Sequence, residues 1–243
     1  LANIMKNEQQ HYSEEEKETI TKGKEFYEKC KASKHLYKLK SPDSRVEMKG
    51  VHLDGESIAT CKATTVADTT PEMCAASELY GTHSRKMDKI RSTRGVLSQV
   101  KHVNKHKMLW FTRRSLGVPG LKKRDFKTVV YYHKEADGKL LVDFSSTQED
   151  LQGFPEETGA VEGFVHTAWY FEPLATIGDV AQTRVTMTSK VDLCGIVPHT
   201  LMNKFLGPQF LSAVSVLRKK FDKSKEIDSA NRNQIVKKMK DLK

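Results

Sequence analysis

Apolar and polar positions alternate over most of this chain. The pattern changes to a three- or four-residue recurrence only near its ends and in one short stretch between. Ser13 and Glu16 have the spacing of a capping box. Ile20, Tyr27 and Cys30 follow on a charged background, which predicts a helix over 13–33. Residues 35–66 hold "HLYKLK", "RVEMKGVHL" and "SIATCKATTV", three β-branched, alternating runs separated by the turn signals "SPDS" and "LDGES". "TTPEMCAASELYG" reads as a helix over 70–81. Thr70 is its N-cap, Pro71 its first helical residue and Gly81 its stop. "SRKMDKIRS" predicts a second short helix.

Alternation then returns in five runs, 98–114, 125–134, 139–147, 161–172 and 180–193, which predict antiparallel strands. "EADGK" at 135–139 is a hairpin signal, because Asp-Gly tolerates the positive φ of a tight turn. The strand at 180–193 stops at Gly195 and Pro198, and a helix is expected over 199–222. Met202, Leu206, Phe210, Ala213 and Leu217 form its apolar stripe. A charged, helical tail is expected at 225–242. Helices at the ends of a long antiparallel run indicate an α+β fold, a curved sheet of about eight strands folded around the last helix. The expected units are a disordered segment at 1–12, one domain at 13–222 and the tail at 223–243.

Taking alternate residues of each strand gives the inward candidates. Thr128, Val130 and Tyr132 share a face, as do Val142, Phe144 and Ser146, and Val165, Thr167, Trp169 and Phe171. Met187 joins them from the last strand. Hydroxyls among aromatics suit a cavity for an amphiphile, whose chains need apolar walls and whose headgroup needs a few polar partners. A packed core with satisfied hydroxyls is the alternative on this pattern alone.

Composition narrows the classes. The chain has 243 residues, 37% hydrophobic and 30% charged, and no window approaches a membrane span. Its four cysteines, Cys30, Cys61, Cys74 and Cys194, stand far apart with no zinc spacing, which suits reduced thiols and a cytoplasmic setting. Leu1 in place of Met leaves room for an upstream targeting segment. The net charge of +10 suits nucleic acid, an anionic membrane or an acidic protein. Lys101, Lys105, Lys107, Arg113, Arg114, Lys122, Lys123, Arg124 and Lys127 stand against Asp125 alone. No nucleic-acid-binding motif accompanies them, so no specific nucleic acid is expected. No GxSxG, HExxH, P-loop or GxGxxG is present. His83 beside Ser84, and His199, have no catalytic company, so no enzyme and no cofactor are expected.

Several of these stretches together resemble the START domains, the steroidogenic-acute-regulatory-related lipid-transfer family. "TTPEMCAASEL" and "RKMDKI" resemble the family's Pro-headed helix and its Trp-Asp element, with Met87 in place of the Trp before Asp88. "KKRDFKTVVYY" resembles its Arg-Asp-aromatic strand opening at Arg124, Asp125 and Phe126. "GFPEETGAVEGFV" resembles the Pro-then-Gly approach to the next strand. "VDLCGIVPHTLMN" resembles the signature before the last helix, at Asp192, Gly195, Pro198 and Asn203. The resemblance covers about 13–222. It implies a helix-grip fold, a nine-stranded sheet around the last helix, and one lipid in a tunnel beneath that helix. The helix and the hairpin loop near 133–139 would form the lid, and lipid transfer rather than catalysis would be the activity.

The resemblance also bears on the ligand. The acid–base pair of sterol-binding members falls, by position, on Phe111 and Val130, both apolar. The acid of phosphatidylcholine-binding members matches Asp88, with Arg85 nearby and Phe126 at an aromatic site. A phospholipid is therefore favoured, on a monomer peripheral to anionic membranes. A sterol, another sensed lipid, or a basic nucleic-acid- or protein-binding module are the alternatives.

Overall fold

The computed structural model describes residues 12–56, 58, 60–81, 89, 93, 96–115, 121–149, 151–154, 159–195, 197 and 207–242. Helix α1 spans Glu14–Ala32 and has the expected capping box: Glu16 N–H donates to Ser13 Oγ, and Ser13 N–H to the Glu16 carboxylate. Helix α2 spans Pro71–Gly81, α3 spans Gly207–Lys220 and α4 spans Ser224–Asp241. The residues expected to begin the last long helix, 199–206, lie outside the described residues, as does all but Lys89 of the stretch expected as a short helix at 84–92.

Ten strands form one sheet. They are β1 Leu36–Lys38, β2 Glu47–Val51, β3 Thr60–Ala67, β4 Leu97–His102, β5 Lys107–Arg114, β6 Arg124–Lys134, β7 Leu140–Ser146, β8 Val161–Glu162, β9 Phe164–Ile177 and β10 Val180–Asp192. The order is β1-β2-β3-β10-β9-β7-β6-β5-β4, all antiparallel, with β8 pairing parallel to the start of β6.

Two boundaries differ from the alternation pattern. The run 98–114 is a hairpin rather than one strand. Its turn is made by Asn104, whose side-chain oxygen accepts from the N–H groups of His106 and Lys107 at 3.0 and 2.7 Å. An Asx turn of this kind carries no Gly or Pro to mark it. The run 161–172 breaks at Gly163. A Cβ there would lie 2.7 Å from the Phe126 ring and 3.2 Å from the Asp192 carbonyl oxygen.

The sheet has two covered faces, because successive side chains point oppositely. On the outer face α1 packs Ile20, Tyr27 and Cys30 against Leu109, Phe111, Val129, Tyr131, Leu141, Ala168 and Tyr170. The inner, concave face carries Met48, Ala63, Met108, Val130, Val142, Trp169, Phe171, Val185 and Met187. It is covered by Leu211, Val214 and Leu217 of α3 and by Cys74, Ala75 and Leu79 of α2. The clamp at the end of α3 is a buried ion pair: Arg218 Nε donates to Asp43 Oδ2 at 2.6 Å, and Arg218 also reaches Asp222 at 2.9 Å. The four cysteines are unpaired, and Cys30, Cys61 and Cys74 are buried. Among the described residues no helix is long and apolar enough to cross a membrane.

Candidate functional site

Strand register assembles the concave face row by row. Val130 stands opposite Phe144 and Met108, Tyr132 opposite Val142, Val142 opposite Trp169, and Trp169 opposite Met187. Trp169 and Phe171 stack with centroids 5.9 Å apart, and Trp110 meets Phe144 edge-on at 5.9 Å. The predicted Val130, Tyr132, Val142, Phe144, Trp169, Phe171, Met187 and Leu217 thus share one cluster, with Ala213 packed against it.

Hydroxyls collect toward one end of this face. Thr128 stands opposite Ser146. Ser146 Oγ accepts the N–H of Val165 at 2.8 Å, and the Thr167 and Ser189 hydroxyls hydrogen-bond at 2.7 Å. Beyond them Phe126 and Val165 belong to a satellite cluster with Ile58, Leu193 and Val197, and the Arg114 guanidinium lies 5.1 Å over the Phe126 ring. Phe126 and Val165 are therefore on the expected side but at the edge of the face, not within its main cluster.

Phe111 is a correction. In β5 the inward residues are Met108 and Trp110, and Phe111 points to the outer face, where it meets Phe154 edge-on at 5.6 Å. It lines nothing on the concave side. Phe111 and Val130 do not share a face, so an apolar Phe111 does not count against a sterol. Arg85, Asp88, Met202 and Leu206, and the side chain of Phe210, lie outside the described residues.

Glu78 is the functional candidate that sequence reasoning missed. It sits in the middle of the α2 face made by Pro71, Cys74, Ala75 and Leu79, all of them buried. Burial pushes its carboxyl up to about 7, opposed only by the charge of Lys220. The Glu78 side chain keeps some exposure although its helical neighbours on that face do not. The helical spacing of Pro71, Cys74, Ala75 and Leu79 around it was the available signal.

Two arrangements exclude other chemistry. Ser145, Asp143 and His166 cluster on the outer face, but the Ser145 hydroxyl and His166 Nε2 both bond to Asp143, the latter at 2.9 Å. The acid stands between serine and histidine, so the ring is not placed to take the serine proton. The basic run at 101–127 does not form one solvated face either: Arg113 and Arg124 are buried. Arg113 makes a bidentate pair with Asp125 at 2.7 and 2.6 Å, and Lys107 pairs with Glu149 at 2.7 Å. Buried Arg124 donates to the carbonyls of Leu193 and Lys122, both at 2.5 Å. Through Leu193, Arg124 fixes the chain where β10 ends, next to Cys194 and Gly195, both in the positive-φ region at 50° and 68°. The hairpin after β6 is also anchored. Glu135 accepts from the Tyr170 hydroxyl at 2.7 Å and pairs with Lys24 at 3.0 Å, and Lys134 pairs with Glu72 at 2.9 Å.

No protein-family model matches the sequence, and neither does any curated protein. Solved structures do match. The human StAR-related lipid transfer protein 5 superposes with a TM-score of 0.61 at 16% identity, over 84% of this chain and 93% of that one. The human StarD13 (DLC2) lipid transfer and protein localization domain gives 0.59 at 15%, over 88% and 100%. Human STARD10 gives 0.57 at 14%, over 92% and 86%.

This chain has the START fold.

The sheet order and α3 lying on the concave face are the α+β helix-grip arrangement. In this START fold the sheet has ten strands rather than nine, the extra count including the two-residue β8. In this chain α3 and α2 cover the concave face, and helical spacing puts Glu78 on the side of α2 that carries Cys74, Ala75 and Leu79.

Proposed function

We propose that this chain binds one lipid between the concave sheet face and α3, and carries it between membranes without catalysis. The observation that carries this reading is Glu78, a carboxyl pushed to about 7 in the middle of an apolar helix face. Burying such a group without a partner is costly, and a ligand oxygen offsets that cost by accepting a hydrogen bond from the protonated carboxyl. The apolar rows from Val130 to Met187 supply walls for hydrocarbon, each buried CH₂ contributing about 0.8 kcal/mol. The hydroxyls of Thr128, Thr167 and Ser189 supply polar contacts at the other end.

A phospholipid is the favoured ligand, and α3 with the hairpin at 133–139 is the proposed lid. Moving that hairpin would break the Glu135 and Lys134 contacts. A sterol is the second reading. Glu78 has no hydrogen-bond or ion-pair partner among the described residues, and a lone acid fits a single ligand hydroxyl. Docking on anionic bilayers is supported by the net charge of +10 and by α4. On α4 and its C-cap, Ile235, Met239 and Leu242 recur at i, i+4 and i+7, all exposed, beside Lys237, Lys238 and Lys240.

Native mass spectrometry after incubation with mixed-lipid vesicles tests the reading. A one-to-one adduct whose extracted lipid is a phospholipid supports the favoured ligand, and a sterol adduct supports the second. A bare mass after the incubation would end the lipid-carrier proposal.

A further inference from the structure

The outer face holds a second hollow, on the opposite side of the sheet from the concave site. A cavity of about 280 Å³ lies between the C-terminal half of α1 and strands β2, β3, β9 and β10. That is several times the roughly 30 Å³ share of one water. Four cations line it, Lys31, Lys49, Lys62 and Arg184, against two carboxylates, Glu47 and Glu172.

The two carboxylates are already committed. Glu47 pairs with Lys49 at 2.9 Å, and Glu172 lies 3.7 Å from Arg184. Among the described residues Lys31 forms an ion pair only with Glu28, outside the cavity at 3.7 Å, and its ammonium lies 5.8 Å over the Tyr27 ring. Lys62 makes no ion pair or hydrogen bond among the described residues. It stands directly opposite Lys49 across β2 and β3, an arrangement that costs stability when both are charged. Its neighbour Cys30 is a buried thiol pushed up to about 12, so it is neutral and supplies no counter-charge. Burial holds the Lys62 ammonium below its ordinary range, the mark of a charge with too little compensation. The wall adds hydroxyls: Thr64 and Thr186 meet at 3.5 Å, and the Tyr27 ring closes one side.

We infer that this cavity is an anion site for a phosphomonoester, held by Lys62 and Lys49 from the sheet and Lys31 from the helix. A phosphomonoester carries close to two negative charges and three strong acceptor oxygens near neutral pH. Those match a set of ammonium donors converging on one hollow better than a carboxylate does. Bound there, the anion relieves the Lys49–Lys62 repulsion and ties α1 to β2 and β3. The same chemistry comes from a free phosphorylated small molecule or from a lipid headgroup such as that of phosphatidic acid.

The test uses the full chain. Inorganic phosphate is titrated at constant ionic strength, made up with chloride. Thermal midpoint and the lysine Nζ resonances are read for the wild type, Lys62→Met and Lys62→Arg. The expected result is a saturable rise in midpoint with shifts at Lys62 and Lys49. Affinity should fall at least tenfold in Lys62→Met and be largely kept in Lys62→Arg. Without phosphate, Lys62→Met is expected to be as stable as the wild type or more so, because it removes a like-charge pair. A phosphate response equal to that of chloride, or unchanged in Lys62→Met, overturns the site. Cosedimentation with phosphatidic acid vesicles, against phosphatidylserine vesicles of equal charge, separates the sources. A phosphatidic acid preference lost in Lys62→Met assigns a headgroup, and a phosphate response without it assigns a free small molecule.

Discussion

Gly23 of α1 lies directly over the carboxylate of Asp143 in β7: a Cβ at Gly23 would stand 2.7 Å from Oδ1 and 3.0 Å from Cγ. Asp143 is fully buried and holds His166, whose ring stacks on Phe26 of α1 at 4.2 Å. The helix can approach the sheet this closely only because the position above the acid has no side chain. Gly23→Ala should therefore destabilise the protein by about 1–3 kcal/mol, the usual cost of overpacking, despite the better helix propensity of alanine. Urea unfolding checks it. A variant as stable as the wild type would mean that α1 shifts freely on the sheet.

If the concave face holds the proposed lipid, the two faces of β5 and β6 separate stability from binding. Phe111→Leu, on the outer face, should lower stability by about 1 kcal/mol and leave lipid occupancy per folded molecule unchanged. Val130→Trp, on the concave face, should reduce occupancy at least tenfold by filling the ligand space. Native mass spectrometry with parallel urea curves measures both. Equal occupancy in Val130→Trp and the wild type would contradict a ligand at that face.

Glu78 makes stability fall as pH rises. Its folded pKa is raised to about 7 from the ordinary value of 4.5, so its contribution is fully present below about pH 4.5 and is lost as pH climbs through 7. Glu78→Gln removes that titration. It should be more stable than the wild type at pH 8, by on the order of 1–3 kcal/mol, with little difference at pH 5. Thermal melts at the two pH values test this, and ligand occupancy should fall in the same variant.

The Asp43–Arg218 pair acts in the opposite direction. Backbone hydrogen bonding from Arg45 and the Arg218 guanidinium hold the Asp43 carboxyl below its usual range. Its stabilisation is present above the ordinary carboxylate pKa and is lost as pH falls through the lowered one. Both side chains are buried, so Arg218→Ala strands a carboxylate and should cost about 3–5 kcal/mol. The loss should be smaller in the Asp43→Asn background, and a double-mutant cycle by chemical denaturation reads the coupling.

Much of the architecture was legible because local chemistry encodes it. The capping box at Ser13 and Glu16, the Thr70-Pro71 helix start, the hairpin at Asp137-Gly138 and the strand alternation need only neighbours within a few residues. The inward parity of Thr128 to Tyr132 and of Val165 to Phe171 followed from the two-residue period of a strand. The break at Asn104 was not legible, because an Asx turn depends on side-chain geometry rather than on Gly or Pro.

The candidate site divides along the same line. The sequence by itself determined which residues of each strand share a face, since that is a property of one strand. Only the tertiary structure decided which face is concave. It put Phe111 on the outer face with α1 and Met108 and Trp110 on the concave face, because that choice depends on the sheet register and on which helix covers which side. It also buried two members of the basic run, Arg113 and Arg124. Arg124 was drawn to the carbonyls of Leu193 and Lys122, contacts that bring together residues 69 positions apart in one case. Glu78 became a candidate for the same reason. A carboxyl on a short helix is an ordinary surface group until packing surrounds it, and the cost of burying its charge appears only then.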